Sequence, residues 1–201
     1  MKYIKLYIII AVFYGLSNAA IGSEDHSDTG TVGRDILIQK AQQYDIDAIC
    51  SLGLSGDKVV IPALSKMLEE ARRSDVGYRY IDSIRIALAR LGDAQVRKEI
   101  INDFDSAGHM RQRAFKIASE IKGNDMIIAI AGKLDDPRPG ERDLDVGYAA
   151  PRHLAVIALS QSITDPSAPK IDLGRITSDE ENVQRWKIWW ANNKERYMVH
   201  Q

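Results

Sequence analysis

The sequence predicts an all-α protein, a short α-solenoid of about four stacked helix pairs that ends in a tryptophan-rich capping helix. Three observations carry that expectation. Apolar residues recur at i, i+3 and i+4 along most of the chain, while Val/Ile alternations of strand type are scarce. A helix–glycine–helix pattern echoes three times. All three tryptophans fall within "RWKIWWANNKERY", residues 185–197, of a chain that is only 7% aromatic.

The first element is not part of the folded domain. Lys2 and Lys5 precede the apolar run "LYIIIAVFYGL" (6–16), and the small residues "SNAA" (17–20) follow it. A basic end, a short apolar run and small residues describe a secretory signal peptide, residues 1–19, cleaved after Ala19 or Ala20. The run is shorter than the roughly 20 residues of a membrane-spanning helix. The cut site offers no cysteine for lipid attachment, so no stable membrane insertion is expected after cleavage. Residues 20–33, "AIGSEDHSDTGTVG", lack periodicity and are expected to form a flexible leader, with the repeat domain at 34–201.

Composition narrows the function classes. Cleavage removes two lysines and no acid, leaving 25 basic against 28 acidic residues, a net charge of −3. So balanced a surface excludes a dominant nucleic-acid interaction, which needs a concentrated basic patch. Cys50 is the sole cysteine, which rules out an intramolecular disulfide, and its apolar context "IDAICSLGL" predicts a buried small hydrophobe rather than a nucleophile. Stability must therefore come from packing in one core.

The echo is read by aligning "ICSLGLSGDKVVIPALSKML" (49–68), "RIALARLGDAQVRKEIINDF" (85–104) and "KIASEIKGNDMIIAIAGKL" (116–134) on Gly56, Gly92 and Gly123, which are 36 and 31 residues apart. Four positions after each glycine stand Val60, Val96 and Ile127. Eight after stand Leu64, Ile100 and Ala131, and six before stand Cys50, Ile86 and Ile117. Each glycine is expected to end a helix in the left-handed conformation. Asp57, Asp93 or Asn124 then caps the next helix, and Pro62 sits near a helix start, where its missing amide proton costs least. Neither helix of a pair can bury its apolar face alone, so the pairs must stack.

"SGDKVVIPALSKML" and "IRIALARLGDAQVRKEI" resemble HEAT-like repeats of the short bacterial kind, in which Leu-Gly-Asp is followed after a few residues by Ile-Pro-Ala-Leu. The resemblance covers roughly residues 45–135. The third unit departs from it, with Lys122 before the glycine and Asn124 in place of Asp. It implies an α-solenoid whose relatives include protein-interaction scaffolds, bilin lyases and DNA glycosylases.

A fourth, degenerate pair begins with "GYAAPRHLAVIALSQSI" (147–163), between the irregular stretches "DDPRPGERDLDV" and "TDPSAPKIDLGRI". The last helix opens at "SDEE", where Ser178 and Glu181 can form a capping box, and Asp179, Glu180 and Glu181 suit its first turn. Val183, Trp186, Trp190, Asn193 and Tyr197 share one stripe, with Trp189 at its edge. Exported bacterial HEAT-repeat proteins are similar in ending on a W-x-x-W-W helix. Closure of the core is preferred over a partner-binding face, and Trp189 is the ring expected to stay exposed.

Little catalytic chemistry is legible. His26, His109, His153 and His200 form no i, i+4 pair or zinc motif, and His153 suits a surface or capping role. Ser55 in "GLSG" lacks the nucleophile-elbow pattern, and no glycine-rich phosphate loop is present. Asp135, Asp136, Glu141, Asp143 and Asp145 cluster near Gly147, but the set is incomplete for a calcium loop and reads as a solvated connection in which Arg138, Arg142 and Arg152 offset the charge. Residues 69–80 read as another long connection, with Arg72, Arg73, Tyr78, Arg79 and Tyr80 as residue types favoured at interfaces. The function expected is a noncatalytic periplasmic or secreted binding or scaffold protein whose partner is another exported protein. It would use its inner helices and inter-repeat loops: Arg72, Arg73, Tyr78, Arg79, Tyr80, Glu141, Arg142, Asp143, Asp145 and Trp189. No cofactor or metal is expected. The alternative is a secreted hydrolase or lyase that divides acid and base roles between carboxylates of residues 135–145.

Overall fold

The computed structural model describes residues 28–143, 146–171 and 180–198. The chain divides into two compact units, residues 1–33 and 34–201. Of the first, the described part is the opening of helix α1 (Asp28–Gln42), so residues 28–33 of the expected leader are helical. The expected signal peptide and the rest of the leader lie outside the described residues. Among the described residues, no helix is long and apolar enough to cross a membrane.

The second unit is all-α apart from one short ribbon. After α1 come α2 (Ile46–Leu54), a 3-10 turn (Lys58–Val60), α3 (Ile61–Arg73), α4 (Tyr78–Arg90), α5 (Ala94–Asn102), a second 3-10 turn (Asp103–Asp105), α6 (Gly108–Ile121) and α7 (Asn124–Ala131). The ribbon pairs β1 (Glu141–Asp143) with β2 (Val146–Tyr148) in antiparallel register, Glu141 opposite Tyr148. Helices α8 (Pro151–Ser162), α9 (Glu180–Asn193) and α10 (Glu195–Met198) complete it. Helix α4 packs on α2, α6 on α4 and α8 on α6; α3, α5 and α7 each pack beside a member of that row.

The turns between helices obey the local chemistry. Gly56 and Gly92 take φ of 71° and 92°, the left-handed region that a side chain would disfavour. Asp57 Oδ1 then accepts the Val59 amide at 3.0 Å, and Asp93 Oδ1 the Val96 amide at 2.9 Å. The third unit is shifted by one residue from the expectation. Lys122 takes the left-handed conformation (φ 59°), while Gly123 is extended and precedes α7 without a side-chain cap. A further turn of this design was not legible: Tyr44 stands where a glycine is expected (φ 66°), and Asp45 Oδ1 caps Ala48 at 3.1 Å. Pro62 lies in the first turn of α3.

The aligned apolar positions fill one core. Val60, Leu64, Ile86, Val96, Ile100, Ile117, Ile127 and Ala131 are all buried in it. Cys50 is the exception, only half-buried, and burial still pushes its thiol pKa up. The connection expected at 69–80 is short, because α3 runs to Arg73 and α4 starts at Tyr78. Tyr80, expected at an interface, is instead buried, its hydroxyl donating to Ala41 O at 3.0 Å and its ring edge-on to Tyr44.

Charged side chains tie each pair to the next. Arg72–Glu99, Asp82–Arg113, Arg97–Asp125, Arg111–Glu141 and Arg152–Glu180 lie 2.5–2.8 Å apart and 27 to 31 residues apart in sequence. That offset is close to one helix pair. Arg72–Glu99 and Arg152–Glu180 are exposed and contribute only about 0–1 kcal/mol each, whereas the Arg111 side chain is buried against Glu141; all five fix register between neighbours.

The tryptophans also divide differently from the expectation. Trp186 is fully buried and Trp189 is only 7% exposed, whereas Trp190 is half-buried. Trp189 therefore belongs to the core, with its Nε1 donating to Ser167 Oγ at 3.1 Å and its ring 5.5 Å from that of Trp186. Helix α9 packs on α8 along this face, and Trp190 lies 5.4 Å from Tyr197 of α10. Helix α9 begins at Glu180; Ser178 and Asp179 lie outside the described residues.

Candidate functional site

Helix α6 is amphipathic in a way that leaves one long polar edge. Ala114, Phe115, Ile117, Ala118 and Ile121 go inward, and Phe115 stacks on Phe104 at 4.4 Å. His109, Gln112, Arg113 and Lys116 follow one another at helical spacing along a different face. Helix α8 offers the opposite wall. Proline at its first turn starts it, and Leu154, Ala155, Ala158 and Leu159 are buried. The two helices are joined low down, where Ser119 and Gln161 lie 3.0 Å apart in a hydrogen bond. Between them runs an open groove of about 500 Å³, with Phe115, Leu154, Ile157 and Ala158 along its floor.

A second groove of about 480 Å³ lies across α3, α4 and α5, and Arg113 borders both. Its polar contacts are dense. Arg72 donates to Glu99 at 2.5 Å and Arg85 to Asp103 at 2.5 Å. Burial raises the Glu99 pKa, but the hydrogen bonds from Arg72 and Gln95 outweigh it and hold the carboxyl below its ordinary value. Arg113 donates to Asp82 at 2.6 Å and lies 4.1 Å from the centre of the Tyr78 ring, a cation–π contact. Tyr78, 61% exposed, also meets the His109 ring at 6.3 Å. Tyr78, Arg113 and His109 thus form the junction of the two grooves.

The structure brings some of the expected interface residues together and separates others. Arg72 and Tyr78 line the second groove. Arg73 is exposed but lies on its own helix near Glu69, 3.8 Å away, and borders neither groove; exposed Arg79 borders neither as well. Tyr80 and Trp189 are core. Residues missed in the sequence are Arg113, Lys116, Arg85 and Ile157, while His109 is weighed there only as a metal ligand. A signal for them exists: Asp82 and Arg113 stand 31 residues apart, close to one helix pair, and His109, Arg113 and Lys116 follow i, i+4, i+7.

The acidic stretch 135–145 is more tied down than a solvated loop. Asp136 accepts three hydrogen bonds from the Arg138 side chain, at 2.5, 2.9 and 3.1 Å, and Arg138 also reaches Asp105 at 2.6 Å. The Arg138 hydrogen bond, ahead of all other causes, lowers the Asp136 pKa. Lys133 and then Arg138 do the same to Asp105. Glu141 receives the Gly108 amide at 2.7 Å and Arg111 at 2.8 Å, and its pKa falls chiefly through that amide. Asp135 pairs with Lys187 at 2.7 Å. Arg142 and Asp143 lie in β1, but their side chains, like all of Asp145, fall outside the described residues. Among the described residues, no group of three or more His, Cys, Asp and Glu could hold a metal ion. His153, expected in a surface or capping role, is buried with Nε2 3.3 Å from Glu180 Oε1.

These shifts have a measurable consequence. A carboxylate whose folded pKa is depressed contributes stability above its unfolded pKa and loses it as pH falls through the folded value. With Asp105, Asp136 and Glu99 all depressed, urea midpoints are expected to stay level near neutrality. They should fall from about pH 5 downward and continue falling below the ordinary carboxylate range near about pH 4. Arg138→Ala should flatten that acid limb. A limb of unchanged slope in the variant would contradict the assignment.

Compared with known proteins, the chain matches no family model, no curated protein and no solved structure.

Proposed function

We propose that this chain is an exported, noncatalytic protein-binding module, a short solenoid of HEAT-like helix pairs that receives its partner along the α6–α8 groove. The observation that carries the reading is the groove's composition. An apolar floor of Phe115, Leu154, Ile157 and Ala158 is edged by His109, Arg113 and Lys116 and opens at Arg113 toward Tyr78. An apolar centre within a polar rim that includes Arg and Tyr is the anatomy of an interface. Export is supported by the basic-apolar-small pattern of residues 1–20. The HEAT-like assignment is supported by the glycine–aspartate turns at 56–57 and 92–93 and by ion pairs one repeat apart.

The hydrolase or lyase reading needs one carboxylate of residues 135–145 to hold a proton at working pH. Asp136 and Glu141 both have lowered pKa values, each held by an arginine, which favours the ionised form and disfavours an acid role. The binding reading is tested by placing a photo-cross-linking amino acid at Gln112 in native cells, with Lys98 on α5 as the control position. A discrete protein adduct at position 112 alone is expected. Equal adducts at both positions, or none at 112, would refute it.

A further inference from the structure

We infer that a cavity between the loop 163–171 and Trp186 of α9 binds a small carboxylate with an apolar body, a site separate from the groove proposed above for the partner. The two buried tryptophans of α9 differ in one respect. Trp189 Nε1 donates to Ser167 Oγ at 3.1 Å, but Trp186 Nε1, three residues earlier and fully buried, has no hydrogen-bond partner among the described residues. A buried indole N–H ordinarily finds an acceptor, because an unbonded buried donor is costly. Trp186 lines an open cavity of about 440 Å³ whose other walls include Ile163, Pro166, Ala168, Pro169 and Ile171. That volume is in the range of small-molecule pockets, which are lined by apolar side chains around a few polar groups. A ligand that brings an oxygen acceptor into this cavity supplies what the chain does not.

The loop that walls the cavity is held in place. Asp165 accepts the Ser167 amide at 2.8 Å, the Ser167 hydroxyl at 2.7 Å and Arg196 at 2.5 Å. Pro166 and Pro169 each fix a backbone φ within it. Little ordering is then required when a ligand enters. Charge decides which acceptor fits. Asp165 is the acid among the described lining residues, and Arg196 offsets it. Lys170 also lines the cavity, is exposed and forms no ion pair among the described residues, so its charge is unmatched. The remaining polar lining, Ser160, Gln161 and Thr164, is uncharged. A carboxylate accepts from the indole and matches Lys170, whose flexible four-carbon stem gives its ammonium reach. A protonated amine cannot accept from the indole and is repelled by Lys170.

Hexanoate, hexanamide and hexylamine share one apolar body and differ in head group, so they serve as probes. In nitrogen-edited proton spectra of the purified full chain, the Trp186 indole resonance is the one that neither Trp189→Phe nor Trp190→Phe removes. Hexanoate is expected to shift it, together with the Lys170 amide, in a saturable way, and hexylamine to leave both in place. Lys170→Gln changes an exposed, unpaired side chain and should keep the wild-type melting temperature. It should weaken hexanoate at least about fivefold while leaving the weaker binding of hexanamide unchanged. A Trp186 resonance unmoved by hexanoate, hexylamine that binds as well as hexanoate, or hexanoate affinity indifferent to Lys170→Gln would each overturn the inference.

Discussion

Trp186→Ala is expected to cost about 3–5 kcal/mol, enough to leave little folded protein in a domain whose total stability is on the order of 5–15 kcal/mol. The ring is fully buried where α9 packs on α8, and its neighbours Val183 and Trp189 would lose their contacts to the cavity left behind. Trp189→Ala should be of the same class, because it also removes the hydrogen bond to Ser167. Trp190→Ala should be milder, since that ring is half-buried and leans on Tyr197 near the end of the chain. Urea denaturation of the three variants decides the order. Wild-type midpoints for Trp186→Ala and Trp189→Ala would show that α9 does not close the core.

Gly53→Ala should destabilise, although the same change on a free helix would stabilise by about 1 kcal/mol. The reversal of sign comes from the crossing of α2 and α4. A Cβ at Gly53 would lie 2.6 Å from Ala87 Cα and 2.8 Å from Ala87 Cβ, and the first of these is backbone that cannot step aside. Ala87 is itself buried. Forcing the helices apart is expected to cost about 1–3 kcal/mol for alanine and more for valine, the range of overpacked cores. Gly77→Ala, with nothing within 4 Å of its Cβ, serves as the control. A higher melting temperature for Gly53→Ala would contradict the close approach.

The helical class and the helix–turn–helix units were legible because apolar periodicity and Gly-Asp dipeptides report local energetics directly. Gly56 and Gly92 take the left-handed conformation their neighbours imply. Lys122 and Tyr44 take it too, at a local cost of about 1–2 kcal/mol, and tertiary packing must offset that cost. No dipeptide rule can reveal such positions. The ring order in α9 was misread for a related reason: stripe geometry gives the direction of a face, but not which neighbour covers it. The loop 163–171, through Ser167, reaches Trp189 and brings it inside. Tyr80 is expected at an interface because residues 69–80 read as one long connection, yet α4 already starts at Tyr78 and the Ala41 carbonyl satisfies the hydroxyl in the core.

The candidate site was less legible than the fold. Arg72 and Tyr78 stand out by residue type within the connection expected at 69–80, and both do line a groove. Arg113, Lys116 and Ile157 were not, since a groove between α6 and α8 joins residues some 40 positions apart in sequence. Glu141 was expected in a solvated loop, but the Gly108 amide and Arg111 fix it to α6, and that contact depends on how the ribbon folds back. Charge pattern at an offset of about one helix pair was the available clue, and it pointed to register before it pointed to function.

The central claim is that a protein partner is held on the floor of the α6–α8 groove. It is tested most directly by titrating the partner recovered from the Gln112 adduct against the wild-type chain and against Ile157→Asp. Ile157 is half-buried, so the substitution is expected to lower the melting temperature modestly, leaving the chain folded, while weakening the partner's affinity at least about tenfold, as a charge set into an apolar contact does. Equal affinity for the two folded proteins would contradict it.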